Sequence, residues 1–106
     1  KIVISAVSYT ELIARNLSHE DVSQGHISSI IKTVIGLDVA ICMVETEPSK
    51  VKISFRTRDA EKYDVSKLAV ELGGGGHKAA AGATLNIPLD QAIQKVVDTA
   101  KIIYKM

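Results

Sequence analysis

The sequence predicts one compact α/β domain of α+β character, with helices packed on a mixed sheet of about four to five strands. The chain has 106 residues, which is the size of a single domain. Short β-branched segments alternate along it with segments of helical period. Hydrophobic residues make up 46% and charged residues 24% of the chain, as in ordinary globular proteins. The expected order of elements is roughly β-α-β-β-α-β-α.

The first half of the chain predicts two strands with helical segments between them. Residues 2–8 are β-branched and apolar on both faces, which favours a strand inside the sheet. A short helix is expected within residues 9–17. A longer helix is expected to begin at Ser18 or Ser23 and to end at Gly36, because isoleucine and valine recur there at helical spacing. Residues 37–45 are almost continuously apolar, which is typical of a central strand.

The second half predicts two further strands and two helices. Residues 51–58 alternate between apolar and polar side chains, and the turn at Pro48 and Ser49 joins them to the preceding strand as a hairpin. Asp64 is placed to cap a short helix over residues 65–72. A strand over residues 84–87 comes next. Pro88 stands where a first helical turn tolerates proline, before a final helix whose apolar stripe runs from Leu89 to Tyr104.

Composition excludes several classes of protein. The formal net charge is +1, so the chain is not a strongly basic nucleic-acid binder, and any bound anion has to be held by local geometry. No apolar run reaches the roughly 18 residues of a membrane helix. Cys42 is the single cysteine, which excludes an internal disulfide and favours a reducing compartment, hence the cytoplasm. Because Cys42 lies in an apolar strand, we expect it to be a small core residue.

The chemical signal of the sequence is the run of four glycines at residues 73–76, followed by His77 and Lys78. A helix end needs only one glycine, so the others suggest close approach of a ligand to the backbone. Successive N–H groups of such a run can form an anion-binding nest, to which His77 and Lys78 add donors. A flexible hinge or a tight helix-to-strand connection is the structural alternative. Dinucleotide-fold and P-loop motifs are excluded, because a helix precedes the run and histidine follows it.

The segment Gly-Gly-Gly-Gly-His-x-x-Ala-Ala-Gly, at residues 73–82, resembles the signature of the DHH-associated C-terminal domain of DHH phosphoesterases. Residues 51–58 look like the Ser-x-Arg-Ser strand of that family, with Thr57 in place of the usual serine. Asp64-Val65-Ser66 is similar to the segment that opens the next helix. The resemblance covers residues 51–87 and is topological elsewhere.

The resemblance implies that residues 1–106 form a substrate-binding domain cut from a longer protein, whose N-terminal DHH domain carries the catalytic metals. It implies that the glycine backbone and His77 hold one substrate phosphate while Arg56 approaches another. The strand alternation independently places Ser54 and Arg56 on one face. The predicted substrate-binding residues are Gly73, Gly74, Gly75, Gly76, His77 and Arg56, with Ser54 and Lys78 beside them.

No catalytic residue and no metal ligand is predicted within the chain itself. The chain contains no Asp-His-His triplet, and His19 beside Glu20 and Asp21 is expected to lie in a solvated turn. His26 is expected on a helix surface. By resemblance, manganese belongs to the absent N-terminal domain, which is also the expected partner. The other partners are a short oligonucleotide or a nucleotide phosphate; no membrane is expected, and a homo-oligomer stays open.

Two functions follow from the resemblance. The first is the substrate-binding domain of a manganese-dependent phosphoesterase of the oligoribonuclease or 3′-phosphoadenosine-5′-phosphate phosphatase type. The second is a nucleic-acid-binding module without hydrolytic activity, similar to the tRNA-contacting C-terminal domain of alanyl-tRNA synthetases.

Overall fold

A computed structural model describes residues 2–14 and 38–104, which form five strands and three helices. In chain order these elements are β1 (Ile2–Val7), α1 (Tyr9–Ala14), β2 (Val39–Glu47), β3 (Lys50–Thr57), α2 (Val65–Glu71), β4 (Gly75–Gly76), β5 (Ala80–Leu85) and α3 (Leu89–Ile103). The predicted long helix between Ser18 and Gly36, with His19 and His26, lies outside the described residues.

The five strands form one mixed sheet, as the sequence predicts, and their order across the sheet is β1-β2-β3-β5-β4. β1 is parallel to β2, whereas the other neighbouring strands are antiparallel. The predicted hairpin of β2 and β3 is confirmed, and Ser49 adopts a positive φ of 61° in its turn. This hairpin is the centre of the sheet, because β1 pairs with its first strand and β5 with its second.

One face of the sheet carries the main hydrophobic core. Val51, Ile53 and Phe55 point to this face from β3, in the alternation that the sequence predicts. α2 and α3 cover the face with apolar residues, among them Leu68 and Val96, which are fully buried. The apolar stripe of the last helix is therefore a packing surface.

The opposite face of the sheet is apolar only at its β1–β2 end. There Leu12 of α1 packs in a cluster with Val7, Cys42 and Val44. Cys42 is fully buried, which confirms its predicted place in the core. Towards β3 and β5 this face carries polar or very small side chains, and we call that part the open face. It consists of Lys52, Ser54 and Arg56 of β3, Ala80, Gly82 and Thr84 of β5, and Gly75 of β4.

Two strand predictions need correction. β5 covers Ala80–Leu85, so it begins four residues before the predicted strand at 84–87 and ends two residues earlier. The short strand β4 has no counterpart in the sequence prediction, which assigns the glycine run to a helix end and an anion-binding segment. Alanine and glycine have low β propensity, which hides both strands from the sequence pattern. Here the pairing of β5 with β3, not intrinsic propensity, determines the strand.

Asp64 caps α2 as predicted. Its carboxylate Oδ1 accepts a hydrogen bond from the Ser66 N–H at 2.9 Å and another from the Ser66 hydroxyl, which lowers the pKa of Asp64. The Tyr104 hydroxyl donates to the Asp64 carbonyl at 3.3 Å, while burial raises the pKa of Tyr104 to about 12. The Tyr63 and Tyr104 rings also meet edge to face, with centroids 5.4 Å apart. The start of α2 is thus tied to the end of α3.

Glu45 connects β2 to the beginnings of two helices. Its Oε1 accepts a hydrogen bond from the Tyr9 N–H at 3.0 Å, at the first residue of α1. Its Oε2 accepts one from the Leu89 N–H at 3.2 Å, at the first residue of α3. Pro88, the N-cap residue of α3, provides no side-chain cap. A single carboxylate therefore caps both helices, where the helix dipole favours negative charge.

None of the helices in residues 2–14 and 38–104 combines the length and the apolar composition that crossing a bilayer requires.

We predict that Glu45→Ala lowers the free energy of unfolding by about 2 kcal/mol, because two helix N-termini lose their acceptor. Urea denaturation followed by circular dichroism measures this loss. Glu47→Ala is the matched control, since Glu47 lies on the same strand and makes only an exposed ion pair with Lys50. Its effect should stay below about 0.5 kcal/mol. Equal effects of the two substitutions would contradict the capping role of Glu45.

Candidate substrate-binding site

The first two glycines of the run end α2. Gly73 has a φ of +85°, a left-handed conformation that suits glycine, and its N–H donates to the Val70 carbonyl at 3.0 Å. The Gly74 N–H donates to the Ala69 carbonyl at 2.7 Å. These bonds satisfy carbonyls that the helix end would otherwise leave without a partner. The run then turns directly from the helix into β4.

Gly74 and Gly76 bring the run unusually close to β5. A Cβ atom at Gly74 would lie 2.0 Å from the Gly82 carbonyl oxygen, and one at Gly76 would lie 2.6 Å from the Ala81 Cα. Gly76 also has a φ of +144°, which disfavours any side chain. The opposing atoms are backbone and cannot move aside. Both residues are glycine because the two chain segments touch there.

Gly75 differs from the other three glycines. A Cβ atom placed on it would meet no atom within 4 Å, and its φ lies outside the left-handed region. Neither packing nor conformation explains why this residue has no side chain. Gly75 pairs with Gly82 and therefore lies on the open face. Its missing side chain leaves space above the sheet, which is where a ligand can approach the backbone.

His77 closes the β4–β5 hairpin at the end of the run. Its N–H donates to the Ala80 carbonyl at 2.8 Å, and its carbonyl accepts from the Ala80 N–H at 3.3 Å. The hairpin loop consists of two residues, Lys78 and Ala79, and the carbonyl of each accepts a hydrogen bond from another part of the chain. The Lys78 carbonyl accepts from the Val65 N–H at 3.0 Å, and the Ala79 carbonyl accepts from the Thr57 N–H at 3.1 Å. The loop is fixed against α2 and β3, and the side chains of His77 and Lys78 are exposed at its tip.

The nest predicted from four successive glycine N–H groups needs correction. The N–H groups of Gly73, Gly74 and His77 already donate to carbonyls of the chain, as described above. The run ends a helix and then becomes extended, so its donors do not converge on one point. Gly75 itself pairs with Gly82 in the sheet, so what the run contributes to an anion site is the open space above Gly75.

The described residues bring several predicted site residues together in one depression of the open face, with a volume of about 300 Å³. The register pairs Ser54 with Gly82, Arg56 with Ala80, and Gly75 with Gly82. The lining consists of Ser54, Arg56, Gly75, Gly76, Ala80, Ala81 and Gly82. Gly73 and Gly74 line the neighbouring depression instead, while His77 and Lys78 line neither of the two.

The floor of this depression was not predicted residue by residue. Gly82 and Ala80 form this floor. From the sequence we predict only that the small residues after His77 leave room for tight packing. That expectation is confirmed on the other side of the strand, where Gly74 and Gly76 contact Ala83 and Ala81. On the open face the same small residues leave the backbone uncovered.

The depression suits an anion and offers no catalytic pair. Arg56 is exposed, and no acidic side chain of the described residues forms an ion pair with it. The lining contains no carboxylate, and the Ser54 hydroxyl is its neutral hydrogen-bonding side chain. Among residues 2–14 and 38–104, no three His, Cys, Asp or Glu side chains are placed to hold a metal ion. The described residues therefore do not fit a two-metal centre.

Comparison with known protein families gives a match over nearly the whole chain. The DHHA1 domain family matches residues 2–105. The bifunctional oligoribonuclease and PAP phosphatase NrnA of Thermus thermophilus is 38% identical over 73 residues, which cover 68% of this chain and 22% of that protein. The chain thus spans about a fifth of the length of this relative.

Two solved structures share the fold. An exopolyphosphatase-related protein from Bacteroides fragilis superposes with a TM-score of 0.77 at 22% identity, over 99% of this chain and 31% of the other. The C-Ala domain of alanyl-tRNA synthetase from Aquifex aeolicus superposes with a TM-score of 0.63 at 12% identity, over 92% of this chain and 88% of the other. At these identities the two structures show the likeness of the fold.

We predict that alanine substitutions separate the glycines by role. Gly74→Ala should lower the free energy of unfolding by more than about 2 kcal/mol, because its Cβ would collide with backbone. Gly75→Ala is the matched control and should leave stability within about 0.5 kcal/mol of the wild type, since its Cβ meets open space. Thermal and urea unfolding measure both. A Gly75→Ala chain as unstable as Gly74→Ala would show that Gly75 serves the fold.

Proposed function

The chain belongs to the DHHA1 domain family, a domain of DHH-family phosphoesterases, and from this premise we propose that it binds the phosphate groups of a nucleotide substrate. In this proposal the substrate is a short oligonucleotide or a nucleotide phosphate. The supporting relative is named as an oligoribonuclease and PAP phosphatase. Because the chain spans 22% of that relative, hydrolysis by the longer protein is part of the proposal.

The observation that carries the proposal is the depression between Arg56 and Gly75. Arg56, which has no acidic partner among the described residues, stands at its edge, and Gly75 in its lining has no structural reason to be glycine. Guanidinium groups bind phosphate through two parallel N–H donors. Because Gly75 and Gly82 have no side chains, a phosphate can approach the surface of the sheet closely there. Ser54 adds a hydroxyl to the floor.

His77 acts at the edge of the same site. Its exposed side chain stands at the tip of a hairpin loop that α2 and β3 hold in place. In the proposal this imidazole donates a hydrogen bond to a substrate phosphate, and Lys78 adds positive charge beside it. The fixed loop reduces the entropy that ordering these side chains on binding would cost.

The division of labour in the longer protein follows from what the described residues lack. Two-metal hydrolysis needs a cage of carboxylate and histidine ligands. We assign that cage, and manganese, to an N-terminal DHH domain of the same protein, and to this domain the orientation of the phosphates. We also assign the protein to the cytoplasm, where the buried thiol of Cys42 stays reduced.

The second candidate function is a nucleic-acid-binding module without hydrolysis. The similarity to the C-Ala domain favours this second function, because it covers 88% of that domain. A binding module of this kind would need no metal-bearing neighbour. The two candidates share the phosphate-binding face and differ in the rest of the protein. A longer protein that binds RNA but hydrolyses neither oligonucleotide nor nucleotide phosphate would favour the module.

We predict that Arg56→Gln and His77→Ala, each in the full-length protein, lower kcat/KM for a 5′-phosphorylated dinucleotide. A lost charge-assisted hydrogen bond of about 1.5–3 kcal/mol corresponds to a loss of roughly ten- to hundredfold. Steady-state kinetics with manganese give this value. The melting temperature should stay unchanged, because both side chains are exposed and the bonds of His77 to Ala80 come from its backbone.

Lys95→Gln is the control for these variants. It removes a positive charge from an exposed position on α3, whose apolar residues pack on the opposite face of the sheet. Its kcat/KM should equal that of the wild type. Normal kcat/KM in folded Arg56→Gln and His77→Ala proteins would remove the phosphate-binding role from both residues.

A further inference from the structure

A second depression lies on the open face beside the proposed phosphate site. Its lining includes Lys52 and Thr84, and its volume is about 430 Å³. Ser54 and Gly82 line both depressions. The two are therefore continuous along β3 and β5, with Arg56 at one end and Lys52 at the other. The phosphate site proposed above uses only the Arg56 end.

Lys52 is directed to this surface by the register of the sheet. It lies two residues before Ser54 and four before Arg56 on β3, so all three side chains leave the strand on one side. The residue opposite Lys52 on β5 is Thr84, which is exposed. In the same way, Gly82 lies opposite Ser54 and Ala80 lies opposite Arg56. No bulky side chain of β5 stands between the lysine and the arginine.

The charge of Lys52 is not neutralised within the described part of the chain. Lys50, on the same strand, has its Nζ 3.5 Å from Glu47 Oε2. No comparable acidic partner of Lys52 occurs among residues 2–14 and 38–104. Lys52 is also half-buried, so part of its side chain is fixed along the sheet. A half-buried lysine without a partner, at the edge of an open depression, favours an anion as its partner.

The spacing along β3 indicates which anion fits. A strand rises about 3.3 Å per residue, so Ser54 lies about 6.6 Å and Lys52 about 13 Å from Arg56 along the strand. The shorter interval is close to the separation of successive phosphates in an extended single strand. Three phosphates in a row therefore match Arg56, Ser54 and Lys52. Mononucleotides are too short to reach from Arg56 to Lys52.

We propose that Lys52 binds the third phosphate of an oligonucleotide that runs along β3 from Arg56. This inference rests on the proposed function, because the first phosphate is the one assigned to Arg56. It makes Lys52 a residue that selects for length: a substrate with one phosphate gains nothing from it, and a trinucleotide gains a second cationic contact. The bare floor at Gly82 lets the sugar–phosphate chain pass between the two cations.

The test is isothermal titration calorimetry of the full-length protein in EDTA, with AMP and with a 5′-phosphorylated RNA trinucleotide. Lys52→Gln should weaken trinucleotide binding about fivefold, the effect of about 1 kcal/mol at a partly exposed ion pair. It should leave AMP binding unchanged. The slope of log K against log salt for the trinucleotide should become shallower by about 0.7, the value for one phosphate contact on a single strand. Lys52→Arg should retain the wild-type behaviour.

Comparison with other variants separates the inference from the proposed function. Arg56→Gln should weaken the binding of both ligands, and Lys95→Gln should weaken neither. If Lys52→Gln binds the trinucleotide as the wild type does while Arg56→Gln does not, the role of Lys52 is wrong and the proposed function stands. An equal loss for AMP and trinucleotide in Lys52→Gln would also overturn the selection for length. If the wild-type protein binds neither ligand, both the inference and the proposed function fail.

Discussion

The close approach of the glycine run to β5 is the constraint on which the rest of this structure depends. At Gly74 the gap to the Gly82 carbonyl oxygen is too small for a side chain, and at Gly76 the same holds against Ala81. This contact packs the segment that follows α2 directly against β5, which also pairs with β3. The strand consists largely of alanine and glycine and has little tendency to form by itself. Its position, and the small-residue floor that it contributes, therefore depend on the glycines.

The same arrangement divides the sheet into a packing face and the open face, to which we assign the binding of phosphate. Phe55 and the alternate residues Val51 and Ile53 of β3 are buried under α2 and α3. Ser54 and Arg56 point to the other face, where the neighbouring residues are glycine and alanine. A chain with a net charge of +1 cannot attract nucleic acid by bulk charge. In our proposal, Arg56 and Lys52, which have no acidic partner among the described residues, bind phosphate locally, because the floor between them is free of bulky side chains.

The elements with strong periodicity were predictable from sequence, whereas those fixed by long-range contacts were not. The alternation in β3 and the apolar stripe of α3 correctly gave the faces that the two elements bury. The start of β5 at Ala80 and the two helix caps of Glu45 were missed, because both depend on residues far apart in the chain. The glycine run was recognised as special, but only three-dimensional packing separates Gly75 from the glycines that the fold requires.

A crystal structure of the full-length protein with a phosphorothioate-substituted dinucleotide tests the central claim most directly, because anomalous scattering from sulfur marks each phosphate position. We predict one phosphate bound to the Arg56 guanidinium and the next one over the floor formed by Ser54, Gly75 and Gly82. Sulfur sites confined to another surface, such as the groove beside Val70 between α2 and α3, would contradict the account. The same holds if the open face stays empty at ligand concentrations that saturate hydrolysis.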